Sequence, residues 1–314
     1  MTDLTSIQES LVATNARLLE LNRAIAQNPD ERALVSMTRS VQHRQQSLER
    51  EFLAAAAAVG IDVCSYRVFA SDENEIPKLA TVTRVLDAFQ TLVSTVYSAV
   101  RDGVPRSPGR LSAQAIAESS FGLGYVYQGS VGVVLTVANQ PNLFDEAKLD
   151  ETVQTVFAMA RATTPTQLQA FSERLGSASV RALLRWSRSH NAWEVGADIE
   201  WRRAQNVRTQ LLIQLPEISQ LIAVIEAASE ETRETDELSV MLLGIDAEDR
   251  SFHLRTDTGT EIRGSVSREI VLIVDPATVP KRYTVALTRV VRTHYSLDQD
   301  QESWEIEGLT PVDA

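Results

Sequence analysis

The chain has 314 residues, of which 44% are hydrophobic, and its formal net charge is −12 at pH 7. This length suggests two or three domains, and the hydrophobic content suffices for ordinary buried cores. The single cysteine, Cys64, excludes an intramolecular disulfide and the paired-cysteine spacings of zinc ribbons and thioredoxin-like proteins. The charge opposes passive attraction to nucleic-acid phosphates, although a local basic patch can still bind them.

The sequence predicts a cytoplasmic protein without a membrane partner. Its first ten residues lack the basic and apolar regions of a signal peptide. The most apolar short run, residues 52–61, is about half the length of the roughly 20 residues that cross a bilayer. One cysteine also suits a reducing compartment. Only three of the 30 basic residues are lysines, and this arginine bias indicates a GC-rich bacterial genome.

Residues 1–59 are predicted to form a helical hairpin, a short coiled coil. The first helix carries a seven-residue apolar repeat that is interrupted at Thr14. Asn28-Pro29-Asp30-Glu31 ends this helix and starts a second one, which has its own apolar stripe. Because two helices bury too little surface to stand alone, the hairpin should pack on the body of the protein or on another copy.

Residues 60–228 are predicted to form an α+β domain. Strand patterns occur at residues 61–70 and 193–203, and a strand hairpin turns at Gln128-Gly129-Ser130. Helical patterns occupy residues 77–101, 145–162, 165–190 and 216–228. Because some strands are joined by tight turns, the sheet should be mostly antiparallel.

The last part of the chain is predicted to be a small all-β barrel. Residues 229–237, SEETRETDE, are acidic and nearly free of apolar residues, so they are interpreted as an acidic linker. Residues 238–314 then contain about six short strand patterns separated by turns, including EIVLIV at 269–274. Their number and spacing favour an SH3-like or OB-like barrel. The fold class is therefore α+β, with a helical hairpin before it and a barrel after it.

The segment RWSRSHNAW, residues 185–193, is the strongest candidate for chemistry. Arg185 and His190 form an R-x4-H arrangement near the end of a predicted helix. This spacing resembles the short catalytic signature of HEPN ribonucleases. The resemblance implies that Arg185 stabilises charge and that His190 moves protons during RNA cleavage.

Two other interpretations of the same segment stay open. The first treats Arg181, Arg185, Arg188 and His190 as cations that favour the negative end of a helix. The second is a nucleic-acid-binding patch in which arginines contact phosphates and tryptophans stack on bases. Its candidate residues are Arg181, Arg185, Arg188, Arg202, Arg203, Trp186 and Trp193.

No cofactor or metal site is predicted. The glycines around residues 122–132 match neither a dinucleotide fingerprint nor a P-loop, and they are interpreted as strand and turn glycines. Asp298, Asp300 and Glu302 alternate as D-x-D-x-E, but the pattern lacks the glycine of a calcium loop, and a solvated turn is expected.

The preferred hypothesis is a non-catalytic interaction and assembly protein. In this hypothesis the hairpin mediates homo-oligomerisation and the barrel binds a partner protein, an inference from architecture alone. One alternative is a nucleic-acid-binding component of a bacterial defence or regulatory system. The other alternative is a HEPN-like ribonuclease that uses Arg185 and His190.

Overall fold

The computed structural model describes residues 3–70, 77–103, 111–127, 131–138, 148–203, 208–246, 248–267, 279–295 and 301–312. The chain divides into two compact units, Met1–Ala227 and Ala228–Ala314, called here the N-terminal unit and the C-terminal unit. In the described part of the chain, no helix is both long enough and apolar enough to cross a bilayer.

The N-terminal unit contains eight helices and five strands among its described residues. The helices are α1 (Leu4–Gln27), α2 (Arg32–Ala58), α3 (Leu79–Asp102), α4 (Ala113–Ser119), α5 (Lys148–Ala160), α6 (Pro165–Leu175), α7 (Ser177–Ala192) and α8 (Leu215–Ala227). The strands are β1 (Ile61–Ala70), β2 (Gly122–Tyr127), β3 (Val131–Ala138), β4 (Val195–Arg202) and β5 (Arg208–Ile213).

The five strands form one antiparallel sheet in the order β2-β3-β1-β4-β5. Tyr66 of β1 contacts Phe89 of α3 and His190 of α7, so these helices cover one face of the sheet. On the other face, Val63 of β1 and Tyr125 of β2 pack against α1 and α2. The predicted α+β class and the mostly antiparallel sheet are confirmed.

The predicted N-terminal helical pair is also confirmed. The Asp3 carboxylate caps α1 by accepting a hydrogen bond from the Thr5 backbone N–H at 3.4 Å. Ile7 near the start of α1 packs with Leu48 and Phe52 near the end of α2, so the two helices run antiparallel. The hairpin belongs to the N-terminal unit. Its description as a coiled coil remains a prediction.

The C-terminal unit consists of strands in its described residues. They are β6 (Ser229–Asp246), β7 (Ser251–Thr256), β8 (Glu261–Val266), β9 (Lys281–His294) and β10 (Gln301–Pro311). The pairing order β10-β8-β7-β6-β9 closes on itself, and only β8 and β10 pair in parallel. An apolar cluster that includes Leu242, Phe252 and Leu287 fills the interior. Whether the unit is SH3-like or OB-like remains a prediction.

Residues 229–237 correct the prediction of an acidic linker, because they form the first half of β6. In the register with β9, Glu231 lies opposite Arg292 and Glu234 lies opposite Arg289. The Arg292 Nε atom is 2.7 Å from the Glu231 carboxylate, and the Arg289 guanidinium is 3.7 Å from that of Glu234. Opposite charges that face each other across an antiparallel pair stabilise it. The composition of residues 229–237 alone could not predict this pairing, because Arg289 and Arg292 lie far downstream in the sequence.

Several predictions lie wholly or partly outside the described residues. These are the turn at Gln128-Gly129-Ser130, the strand at 269–274, the start of the helix predicted from residue 145, and the carboxylates of Asp298 and Asp300. The predicted helix at 165–190 is in fact two helices, α6 and α7. Gly176 separates them with a φ of +86°, a conformation that glycine adopts without the strain of a side chain.

Candidate functional site

Helix α7 carries most of the RWSRSHNAW segment and packs between the sheet and its neighbouring helices. It contacts α3, α6, α8 and β4. Apolar residues at helical spacing face inward, including Val180, Leu183 and Leu184. Trp186 and His190 continue this buried face, whereas Arg185 and Arg188 are exposed on the opposite side. The segment therefore contributes one face to the core and the other to solvent.

Three polar side chains form a hydrogen-bonded network inside this core. The indole Nε1–H of Trp186 donates to the Tyr66 hydroxyl at 2.8 Å, and that hydroxyl lies 2.7 Å from His190 Nε2. His190 Nδ1 lies 3.0 Å from the carbonyl oxygen of Val195. Because a carbonyl only accepts, Nδ1 carries the proton, so Nε2 accepts from Tyr66. Every polar hydrogen of the network then has an acceptor.

Burial sets the protonation states of this network. Desolvation lowers the pKa of His190 to about 4, although the hydrogen bond to Val195 acts in the opposite direction. Desolvation also raises the pKa of Tyr66 well above its ordinary value, and the hydrogen bond from Trp186 opposes that shift. Near neutral pH the imidazole is neutral and the phenol is protonated. The network therefore ties β1 to α7 and to the start of β4 without any buried charge.

We expect Tyr66→Phe to lower the free energy of unfolding of the N-terminal unit by about 2 kcal/mol. The variant removes the acceptor of the Trp186 N–H and the donor to His190 Nε2, and an unpaired buried polar group costs about 1–3 kcal/mol. Urea titration followed by tryptophan fluorescence measures the change. Tyr127→Phe is the control, because its hydroxyl, 2.8 Å from Ser65 Oγ, is only partly buried and water can replace it. Equal losses in the two variants would contradict a special role for the buried network.

The structure does not bring Arg185 and His190 together as a catalytic pair. Arg185 is exposed, whereas the His190 side chain is fully buried and both of its ring nitrogens are hydrogen-bonded. Five residues on a helix also correspond to about 140° of rotation, which directs the two side chains to different faces. An RNA substrate cannot reach the imidazole in this conformation. The histidine acts here as a core residue.

Three of the five arginines of the predicted basic patch are paired with carboxylates. Arg188 lies 2.7 Å from Glu226, and Arg208 of β5, which is not part of the predicted patch, lies 2.7 Å from Glu200. Arg202 also pairs with Glu200. Arg203 pairs with Asp150, whose pKa is raised by burial although the charge of Arg203 opposes that shift. These pairs neutralise much of the charge that phosphates would need.

The tryptophans of the same region do not form a stacking surface. Trp186 and Trp201 are buried in the core, and Trp193 at the end of α7 is 38% exposed. Single-strand binding proteins stack bases on exposed aromatic rings. The single partly exposed ring of Trp193 does not form such a stacking surface. Arg181 is partly buried on α7.

The open part of the sheet face beside the hairpin carries a polar network that the sequence analysis missed. Arg67 of β1 lies 3.1 Å from Asp198 of β4, and Gln210 of β5 donates to the same carboxylate at 2.8 Å. The Arg67 guanidinium also lies over the Phe69 ring, 5.6 Å from its centre. Alternation of polar and apolar residues in β4 is the sequence signal that could have indicated this face.

Amide side chains of α1 cover the edge of the sheet at β2. Gln8 donates to the carbonyl of Gly124, and Asn15 donates to that of Val126 at 3.1 Å. Gln45 of α2 in turn donates to the Asn15 side chain at 3.0 Å. Exposed strand edges invite pairing with other chains, and these bonds occupy two of the edge carbonyls. The base of the hairpin is thereby fixed to the sheet.

The remainder of the hairpin, residues 18–41, is called here the outer hairpin. The apolar residues that bind α1 and α2 to the sheet lie near the start of α1 and the end of α2, outside this segment. Within the outer hairpin, Ile25, Leu34 and Val35 are only partly buried, and Met37 is 44% exposed. A two-helix layer leaves the flanks of its seam open to solvent. The outer hairpin therefore presents apolar surface.

Among the described residues, no group of three or more histidine, cysteine, aspartate or glutamate side chains is arranged to hold a metal ion. Glu302 of the D-x-D-x-E pattern is bound by Arg289, with an Nε–Oε1 distance of 2.9 Å. Gly122, Gly124 and Gly132 lie in strands, in agreement with their interpretation as strand glycines.

Comparison of the chain with protein-family models, curated proteins and solved structures gives no match.

Proposed function

We propose that this protein is a non-catalytic interaction and assembly protein. In this proposal the outer hairpin pairs with the outer hairpin of a second copy, and the C-terminal unit binds a partner protein. The observation that carries the proposal is the exposed apolar surface of the outer hairpin, with Met37 as its most exposed large apolar side chain.

A second hairpin is the occupant that best fits this surface. Two antiparallel helices bury one seam, and a four-helix bundle buries the flanking positions as well. Two copies of the same hairpin supply identical partly buried residues, as a two-fold symmetric interface requires. Ile25 and Leu34 would then lose their remaining contact with water. Each buried apolar side chain adds roughly 1 kcal/mol or more to such an assembly.

The C-terminal unit suits the binding of a basic partner. Residues 228–314 contain 18 acidic and nine basic residues, so the net charge of this unit is −9, compared with −12 for the whole chain. Complementary charge accelerates association and favours correct partners. An SH3-like or OB-like topology would supply a rigid scaffold for such a surface, and this finer assignment is part of the proposal.

We expect Met37→Glu to convert an oligomer to a monomer when the full chain is analysed by size-exclusion chromatography with light scattering. A carboxylate in the apolar interface would have to be buried without a partner, which costs several kcal/mol. Gln46→Glu is the matched control, because it adds the same charge on the opposite side of α2. Circular dichroism checks that both variants keep their helices.

A monomeric wild-type protein at micromolar concentration would overturn the assembly proposal. So would an equal loss of assembly in both variants, because the interface would then not lie on the Met37 side of α2.

The structure gives little support for either alternative hypothesis, ribonuclease or nucleic-acid binding, in the region of α7 and β4. The ribonuclease hypothesis requires an accessible His190, and this side chain is buried. The nucleic-acid hypothesis requires free arginines around α7 and β4, and three of its five arginines, Arg188, Arg202 and Arg203, are paired with carboxylates. Neither is proposed for that region.

A further inference from the structure

A row of polar and basic residues runs along the exposed side of α2, opposite the seam with α1. It is called here the α2 row and consists of Arg32, Ser36, Arg39, His43, Gln46 and Arg50, all of them exposed. Alternating spacings of four and three residues keep these side chains on one face of a helix. At 1.5 Å per residue the row is about 27 Å long.

In contrast to Arg188, Arg202 and Arg203 of the predicted patch, the arginines of this row have no carboxylate partner among the described residues. Among the described residues, no carboxylate lies within ion-pair distance of Arg32, Arg39 or Arg50, and Arg50 donates to the Gln46 carbonyl of its own helix at 3.2 Å. The sequence between Glu31 and Glu49 contains no acidic residue. Asp30 lines the same concavity as Arg32 and Arg39 but forms no ion pair with them among the described residues, so their guanidinium groups are open to an external anion.

The net charge of the whole chain does not describe this surface. Of the 42 acidic residues, 18 belong to the C-terminal unit, where only nine basic residues oppose them. Exposed charges further apart than about 10 Å are largely screened at ordinary salt concentration. The charges nearest to a ligand on α2 are the arginines of the row, together with the carboxylates that adjoin its two ends in the sequence, Asp30 and Glu31 at one end and Glu49 and Glu51 at the other.

The composition of the row indicates the class of ligand. All six side chains can donate hydrogen bonds, and arginine, serine and glutamine are among the residues that commonly contact phosphate oxygens. The row lacks the buried aromatic or apolar anchors on which protein interfaces depend. It also lacks aromatic rings for stacking unpaired bases, which argues against a single strand.

We propose that the α2 row binds the phosphate backbone of duplex DNA without reading its sequence. This inference is separate from the assembly proposal, because the row and Met37 lie on different sides of α2. The proposed DNA-binding surface therefore lies on α2 and not in the α7 region, where the sequence had predicted a nucleic-acid-binding patch.

The test is fluorescence anisotropy of the full chain with a duplex of about three helical turns, titrated over a series of salt concentrations. Three arginine contacts predict that log K falls with log salt with a slope of about −3. Replacing Arg39 and Arg50 together by glutamine should reduce this slope by about 2, and should lower affinity about tenfold or more at 50 mM salt. Arg23→Gln with Arg44→Gln is the matched control, since it removes the same charge from exposed hairpin positions outside the row.

Absence of duplex binding by the wild type at 50 mM salt would overturn the proposal. An equal change of slope in the two double variants would do so as well, because the contacts would then not lie in the row. Labelled poly-glutamate that binds more tightly than the duplex would identify an acidic protein segment as the occupant instead. Met37→Glu should keep the wild-type salt slope, so loss of assembly and loss of DNA binding remain distinguishable.

Discussion

Replacing Gly264 by alanine is expected to destabilise the C-terminal unit by about 3 kcal/mol or more. Gly264 lies in β8, one residue before the parallel pairing with β10 at Ser265–Glu305. A Cβ atom at this position would run into the backbone carbonyl of Trp304 and would lie 2.8 Å from the ring of Phe252. Backbone cannot move aside as a flexible side chain can, and overpacking of a core costs about 1–3 kcal/mol even where some adjustment is available.

Hydrogen exchange measured by mass spectrometry locates this effect. The amides of β8 and β10 should lose protection from exchange in Gly264→Ala, because the pairing of these two strands is one of the contacts that close the ring of five strands. Gly244→Ala is the control, since a Cβ atom there would meet no heavy atom within 4 Å. If Gly264→Ala is as stable as Gly244→Ala, β8 and β10 do not approach each other as closely as described.

The second large effect is a loss of stability in mild acid that depends on His190. The pKa of His190 is about 4 in the folded protein, below its ordinary value of 6.5, so the unfolded chain binds the proton more tightly. The stabilisation is complete above pH 6.5 and is lost as the pH falls toward 4. The whole shift corresponds to about 3 kcal/mol, of which about 2 kcal/mol should be lost between pH 7 and pH 5.

The measurement compares the acid dependence of the wild type with that of His190→Gln. The variant is less stable at pH 7, but its stability should fall by about 2 kcal/mol less on going to pH 5. Labelling of Cys64 gives a local readout, because this only cysteine is buried in β1 and burial raises its pKa, so it reacts when the N-terminal unit opens. His43→Gln removes an exposed histidine and should keep the wild-type acid dependence. Parallel curves for the wild type and His190→Gln would contradict the buried neutral imidazole.

Much of the fold could be predicted because its signals are local. The apolar repeat of residues 4–27 marks one face of α1, and the segment 28–31 marks its end. The β-branched and aromatic run at 61–70 forms β1, and the helical spacing near 79–102 forms α3. These patterns depend on residues within one or two turns of each other, so a single sequence contains them.

The β6 strand shows where local patterns fail. Residues 229–237 have the composition of a linker, and only their pairing with Arg289 and Arg292 of β9 makes them a strand. The helix break at Gly176 was missed for a related reason, since one glycine with positive φ ends α6 while apolar spacing continues into α7.

The candidate site shows the same limit more sharply. The sequence indicated Arg185, Trp186 and His190 as one cluster, but Arg185 faces solvent whereas Trp186 and His190 face the core. The partner of His190 is Tyr66, a residue of β1 that lies 124 positions away. The sequence did not indicate the arginines of the α2 row as a binding surface, because the spacing of arginines along a chain does not show which carboxylates lie near them in the fold.

The sequence by itself determined the α+β class, the helical hairpin and most element positions, because periodicity and turn residues act over short distances along the chain. Only the tertiary structure decided which charges are neutralised and which polar groups are buried. It enclosed His190 behind Tyr66 and Trp186, paired the arginines around β4 with carboxylates, and left those of α2 exposed. Electrostatic and burial energies depend on distances in space between residues far apart in sequence, and these distances are fixed only when the chain folds.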